Sequence, residues 1–162
     1  MLAQSSPSMR RWWIDESIVL AASNPSDDDL SALRAEGFGV AVSLLDANHQ
    51  RPRHDPSSAA SSGWMLYMIP IEQRAATPTL VQACEFVALV GAVGKVTKSL
   101  VFCNDGLSRS AFMGAVYWIA KGVPVDTAIA RVTMSANMDT AWKKSAEDVL
   151  RSFEKLGWRI PS

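Results

Sequence analysis

A short apolar run, Lys98-Ser-Leu-Val-Phe102, leads into Cys103-Asn-Asp-Gly-Leu-Ser-Arg109, and an apolar helical pattern follows from Ser110 to Ala120. This strand, loop and helix constrain the chain more than any other segment. A strand that turns directly into a helix points loop amides and first-turn amides at one spot, where the helix dipole adds positive potential. Such a turn is built to hold an anion. Cys103 stands at the strand end, facing that helix N-terminus with Arg109 beside it, which is the setting that favours a thiolate. Gly106 lets the backbone turn tightly. Arg109 offers a planar fork to two oxygens of a phosphate, and the hydroxyl of Ser110 is placed to donate to the sulfur.

The rest of the chain supplies a fold around that loop. Ser26 before Asp27, Asp28 and Asp29 starts a helix, because the hydroxyl caps it and the carboxylates face its positive end. Gly37 stops this helix, and Gly39-Val-Ala-Val-Ser-Leu-Leu45 reads as a strand buried on both faces. The pattern predicts extended chain over 12–20, a long irregular stretch over 46–63, and a strand over 64–71. Four helices complete it: one opened by Thr77-Pro78 and running to about Val93, one from Ser110 to Ala120, one opened by Pro124, and one from Thr140 to Leu156. Strands alternating with helices predict a single α/β domain, a mostly parallel central sheet flanked by helices. Residues 1–10 read as a flexible tail and 11–160 as the domain.

With 162 residues, 48% hydrophobic and six Trp, the chain can bury a core of one domain's size. Sixteen Lys plus Arg balance sixteen Asp plus Glu, so no global charge recruits a nucleic acid or a membrane surface. No apolar run reaches the roughly 18 residues of a membrane span, and Asp15 and Glu16 interrupt the stretch that would serve as an export signal. Two cysteines, Cys84 and Cys103, do not make a disulfide scaffold. The expectation is a reduced, cytoplasmic setting.

The string Cys103-x-x-Gly106-x-Ser108-Arg109-Ser110-Ala111 resembles the signature of the protein tyrosine phosphatase superfamily, in its small dual-specificity branch. Trp12-Trp13-Ile14 through Asn24-Pro25, Val40–Leu45, Ile69-Pro-Ile71 and the helix ending at Lys121-Gly122 fall in the order of that family, so the resemblance spans about residues 12–156. It implies a metal-independent phosphomonoester phosphatase with no cofactor, acting on a phosphorylated protein or a small phosphomonoester. Cys103 would attack phosphorus and form a cysteinyl phosphate. Arg109 and the amides of Asn104, Asp105, Gly106, Leu107 and Ser108 would hold the equatorial oxygens. Ser110 would assist breakdown of the intermediate.

The sequence also departs from the family. Phe102 stands where a His orients the loop and tunes the thiol. No Asp follows Ile69-Pro-Ile71; Glu72 is the nearest candidate for the general acid, and if Gln73 is the true equivalent the acid is lost. Asp105 would repel a dianion if it faced inward, so an outward pose is expected. Intact Cys103 and Arg109 favour an enzyme, whereas Phe102 and the missing Asp favour a pseudophosphatase, a module that binds phosphate with little or no turnover. Arsenate-reductase or rhodanese chemistry is a weaker third reading, since only Cys84 is available as a second thiol.

Elsewhere the bland readings lead. Cys84 is expected to pack in the core, and His49 and His54 to be solvated loop residues rather than metal ligands. Arg51, Arg53 and Arg74 read as exposed charges, and the Trp12-Trp13 pair and Trp64 as packing. Met65, Met68, Met113, Met134 and Met138 read as core filler.

Overall fold

The computed structural model describes residues 9–72, 77–139 and 141–161. In chain order it contains β1 (Arg11–Asp15), β2 (Val19–Ala22), α1 (Asp27–Ala35), β3 (Phe38–Ser43), α2 (Pro56–Ser61), β4 (Met65–Met68), α3 (Leu80–Val93), β5 (Lys98–Phe102), α4 (Ser108–Ala120), α5 (Val125–Ser135) and α6 (Lys144–Leu156). The five strands form one sheet in the order β1-β2-β5-β3-β4. β2, β5, β3 and β4 run parallel, and β1 pairs antiparallel at the edge. The expected α/β class and mostly parallel sheet are what the chain adopts.

Side-chain parity divides the core. Val19 and Ala21 of β2, Val40 and Val42 of β3, and Val101 of β5 face a cluster built with α3, α4, α5 and α6. Leu20, Ala22, Ala41, Leu100 and Phe102 point the other way, against α1 and α2. One consequence reaches the loop directly. Cys103 belongs to the α4 side and Phe102 to the opposite side, where His54 meets its ring edge-on at 5.8 Å. His54 is therefore buried, with its Nδ1–H donating to the Pro25 carbonyl 3.3 Å away, rather than being solvated.

Local chemistry explains where the elements differ from expectation. Residues 12–20 are a hairpin, not one extended segment: Ile18 N–H returns to Asp15 C=O at 3.0 Å, and Ser17 takes φ 66° at the turn. The stretch 46–63 contains α2, capped by Asp55 with Pro56 at its first position. α3 begins at Leu80 rather than at Pro78, because Thr79 and Gln82 form a capping box that fixes the start. α1 carries the analogous box between Ser26 and Asp29. α4 starts two residues early, at Ser108. α6 begins at Lys144; Trp142 is held outside it by its indole bond to Thr133 Oγ1 at 3.0 Å, and Thr140 lies outside the described residues. Of the expected tail, residues 1–8 lie outside the described residues. Met9 packs on the core, and Arg10 pairs with Ser23 through both backbone groups.

Three of the methionines assigned to the core are exposed, Met65, Met68 and Met134, the first two on the sheet-edge strand β4 and the third on the outer side of α5. α4 is buried nearly all round. Its Gly114 lets Ile14 and Val132 approach so closely that an added Cβ would stand 3.2 Å from each. Among the described residues, no helix is long and apolar enough to cross a membrane.

Candidate active site

The site forms where the central strand β5 ends. Leu44 N–H donates to Phe102 C=O at 2.8 Å, and Cys103 N–H to Ala22 C=O at 3.3 Å, so both neighbouring strands hold β5 up to its last residue. The chain then turns away through 103–107 and enters α4. α1 and α3 close their first amides with capping boxes, whereas α4 has no capping side chain at Leu107 and no acid in its first turn. Its open N–H groups are those that an anion would satisfy.

The loop's peptide groups are tied from behind. Asn24 N–H donates to Asn104 C=O at 3.3 Å, and the indole Nε1 of Trp12 donates to Gly106 C=O at 2.9 Å. In a trans peptide the N–H points opposite to the carbonyl, so these two bonds turn the amides of Asp105 and Leu107 toward the concave side. Gly106 has φ +75°, and an added Cβ would lie 2.6 Å from Ser23 N. Only glycine fits there.

Cys103 is buried at the floor of the loop, and Ser110 Oγ donates to its Sγ at 3.2 Å. Arg109 is only 5% exposed. Its hydrogen bonds to Leu44 C=O (3.2 Å), Gln50 Oε1 (2.9 Å) and Ile71 C=O (3.4 Å) all leave from Nη1. That anchorage leaves Nη2 and Nε to address a ligand. Gln50 Oε1 also accepts from Asp46 N–H at 3.0 Å, which fixes the amide's orientation, since the reversed amide would set a donor against two donors.

Glu72 is exposed and directly follows Ile71, whose carbonyl touches Arg109; the preceding Pro70 carbonyl is held by Gln82 Nε2 at 2.8 Å. Gln73 and Arg74 lie outside the described residues. Asn104 and Ser108 are exposed on the loop, and Leu107 is half-buried.

The expected outward pose of Asp105 is not what the structure shows. Its Oδ1 accepts from Leu107 N–H at 3.0 Å and from Cys103 Sγ at 3.4 Å, over the sulfur. The reason is local: in this tight turn a carboxylate finds a backbone donor two residues on. His49 pairs with Asp46 at 3.0 Å. Cys84 is half-buried against the core, and burial pushes its thiol up from the ordinary value.

Trp12, Asn24 and Gln50 escaped the sequence reading as site residues. Trp12 reads as packing, Asn24-Pro25 enters only as part of the family-like run with no role of its own, and Gln50 carries no motif. Asn24 is 4% exposed and also ties the arginine-bearing segment to the loop, donating to Arg51 C=O at 2.8 Å and accepting from Arg53 N–H at 3.0 Å. The length of the 46–63 connection was the one hint that it serves the site. A cleft of about 580 Å³ adjoins the loop, with Trp12, Leu107, Phe112, Met138, Trp142 and Lys143 among its walls.

No family model matches the chain, and no curated protein matches it. Solved structures do resemble it. Tk-PTP in its active form superposes with a TM-score of 0.76 at 21% identity, covering 90% of this chain and 96% of that one. PTPMT1 in complex with PI(5)P gives 0.78 at 19%, covering 90% and 95%. Human DUSP28 gives 0.73 at 18%, covering 95% and 98%. The chain has the protein tyrosine phosphatase fold.

Proposed function

We propose that this chain is a cysteine-dependent phosphomonoester phosphatase of the dual-specificity type, with its catalytic unit over 11–160. The observation that carries the reading is the meeting of three groups at one buried loop: the Cys103 sulfur, the Ser110 hydroxyl 3.2 Å from it, and the anchored guanidinium of Arg109. A structural cysteine needs neither partner.

In the proposed reaction the Cys103 thiolate attacks phosphorus and the bond to the leaving oxygen breaks. That oxygen takes a proton from Glu72, the acid on the segment after Ile71. Nη2 and Nε of Arg109, with the amides of Asn104 to Ser108, hold the equatorial oxygens as charge spreads over them. Water then attacks the cysteinyl phosphate, with the Glu72 carboxylate taking its proton. The Ser110 hydrogen bond stabilises the departing sulfur. Charge stabilisation rests on the guanidinium and the amides, so the scheme uses no metal and no cofactor. The substrate is a phosphorylated protein or a small phosphomonoester. Among structures with this fold, PTPMT1 is solved in complex with PI(5)P, and another is the kinase associated phosphatase. A reduced, cytoplasmic setting suits a catalytic thiol.

The test is hydrolysis of p-nitrophenyl phosphate between pH 5 and 8 in the presence of a chelator, beside Cys103→Ser. Turnover that vanishes in the variant is the expected result. Activity that survives it removes Cys103 as nucleophile. A folded protein without turnover, whose Cys103 phosphate still shields from alkylation, is a phosphate-binding module instead.

A further inference from the structure

The carboxylate of Asp105 occupies ground that a phosphate needs. Leu107 N–H belongs to the loop amides that Trp12 turns inward, and it is engaged by Asp105 Oδ1 at 3.0 Å. The same oxygen lies 3.4 Å from Cys103 Sγ and takes the thiol's hydrogen bond. A phosphate approaching the sulfur would meet a negative charge at van der Waals distance and one donor fewer. Burial does not lock the carboxylate there, because Asp105 is exposed and can swing into solvent.

Resting on the phosphatase reading above, we propose that Asp105 is an internal ligand of the anion cradle and a determinant of specificity. It competes with small phosphate dianions and yields to phosphomonoesters that bind through additional contacts. Free phosphate has only the cradle to offset the displacement of the carboxylate. A substrate whose leaving portion makes contacts with the protein beyond the loop gains interactions that drive the displacement. After hydrolysis, the returning carboxylate helps to expel the product phosphate. Asp105 forms and breaks no covalent bond in this role. It moves between two hydrogen-bonded positions as the site fills and empties.

The experiment uses Asp105→Asn, which keeps the amide acceptor for Leu107 N–H and removes the charge, and Asp105→Ala, which removes both. Inorganic phosphate is titrated as a protector of Cys103 against iodoacetamide, followed by mass spectrometry, with Cys84 as the internal control. Melting curves verify that each variant is folded. Both variants should bind phosphate at least about tenfold more tightly than the parent, as loss of a like charge at close range predicts. Alkylation by anionic iodoacetate, relative to neutral iodoacetamide, should rise in the same variants. If phosphate protects the parent and the variants equally, or the variants less, the role of Asp105 is overturned while the phosphate site stands. If phosphate protects none of the folded proteins, the anion cradle itself is wrong and this inference falls with it.

Discussion

The indole of Trp12 donates to the carbonyl of Gly106 at 2.9 Å across 94 residues of sequence, so the edge strand of the sheet holds the peptide at the centre of the candidate phosphate loop. With that carbonyl engaged behind the loop, the N–H of Leu107 points into it. Asn24 performs the same service at the Asn104–Asp105 peptide. The concavity is therefore not a property of 103–109 alone. Trp12 on β1 and Asn24, in the bend just after β2, maintain it.

Replacing Trp12 by Phe keeps an aromatic ring in place and removes the donor. The expected loss is about 1 kcal/mol of stability, the usual worth of one buried hydrogen bond. Phosphate affinity should fall about three- to tenfold as the peptide gains freedom to rotate. Calorimetric melting and protection of Cys103 from alkylation measure the two effects. Unchanged affinity would mean that the loop keeps its shape without the indole.

Gln50 holds Arg109 Nη1 at 2.9 Å while also accepting from Asp46 N–H. Gln50→Ala releases both donors, and a misplaced guanidinium lowers turnover about ten- to hundredfold. Gln50→Glu keeps an acceptor at Arg109 and should retain most of the rate. Steady-state kinetics on one aryl phosphate, with both variants side by side, reads the difference. Equal damage from Ala and Glu would place the role of Gln50 elsewhere than in accepting from Arg109.

Glu72→Gln removes the proposed acid without changing size. An alkyl phosphate, whose alkoxide leaves poorly, should lose about 10²-fold in rate, whereas an activated aryl phosphate should lose far less. Rates on the two substrates, expressed as a ratio to the parent, decide the matter. A ratio of one assigns the proton to another donor.

Tyr117 joins α4 to β1 through a short hydrogen bond to Asp15 Oδ2. Burial first, then the hydrogen bond and the charge of Asp15, pushes the phenol well above its ordinary value. A raised phenol contributes stability that is fully present below about pH 10, its unfolded value, and is lost as pH climbs toward the folded value. Denaturant unfolding at pH 7 to 11 should therefore show the parent weakening above pH 10 more steeply than Tyr117→Phe. At pH 7 the variant should be less stable by about 1–3 kcal/mol, because the Asp15 carboxylate loses its partner. Parallel pH curves for the two proteins would contradict this account.

What could be read from the chain before it folded was whatever depends on near neighbours in sequence. The capping of α1 by Ser26, the stops at Gly37 and Gly157, and the continuous apolar runs of β3 and β5, buried on both faces, are legible within a few residues of sequence. So is the loop itself, because a strand end, a glycine with positive φ, an arginine and a helix start all lie within eight positions. Reading failed where two local choices competed. Thr79 won the cap over the proline before it, and the turn at Ser17 broke what composition alone presents as one strand.

Tertiary structure decided the rest, for reasons of distance and direction. Nothing in the sequence places Trp12 behind Gly106, Gln50 against Arg109, or Asn24 beneath Asn104, since each pair is brought together by strand order in the sheet. The direction of Asp105 was likewise closed to sequence reasoning. Repulsion from a phosphate argues for an outward carboxylate, but a backbone donor and a thiol lie within its reach, and they draw it in. The sequence by itself determined that a tight strand-to-helix loop would form with Cys103 at one end and Arg109 at the other, because strand end, glycine turn and helix start are local. Only the packed sheet decided what braces that loop and what occupies it, because those contacts join residues that the chain keeps far apart.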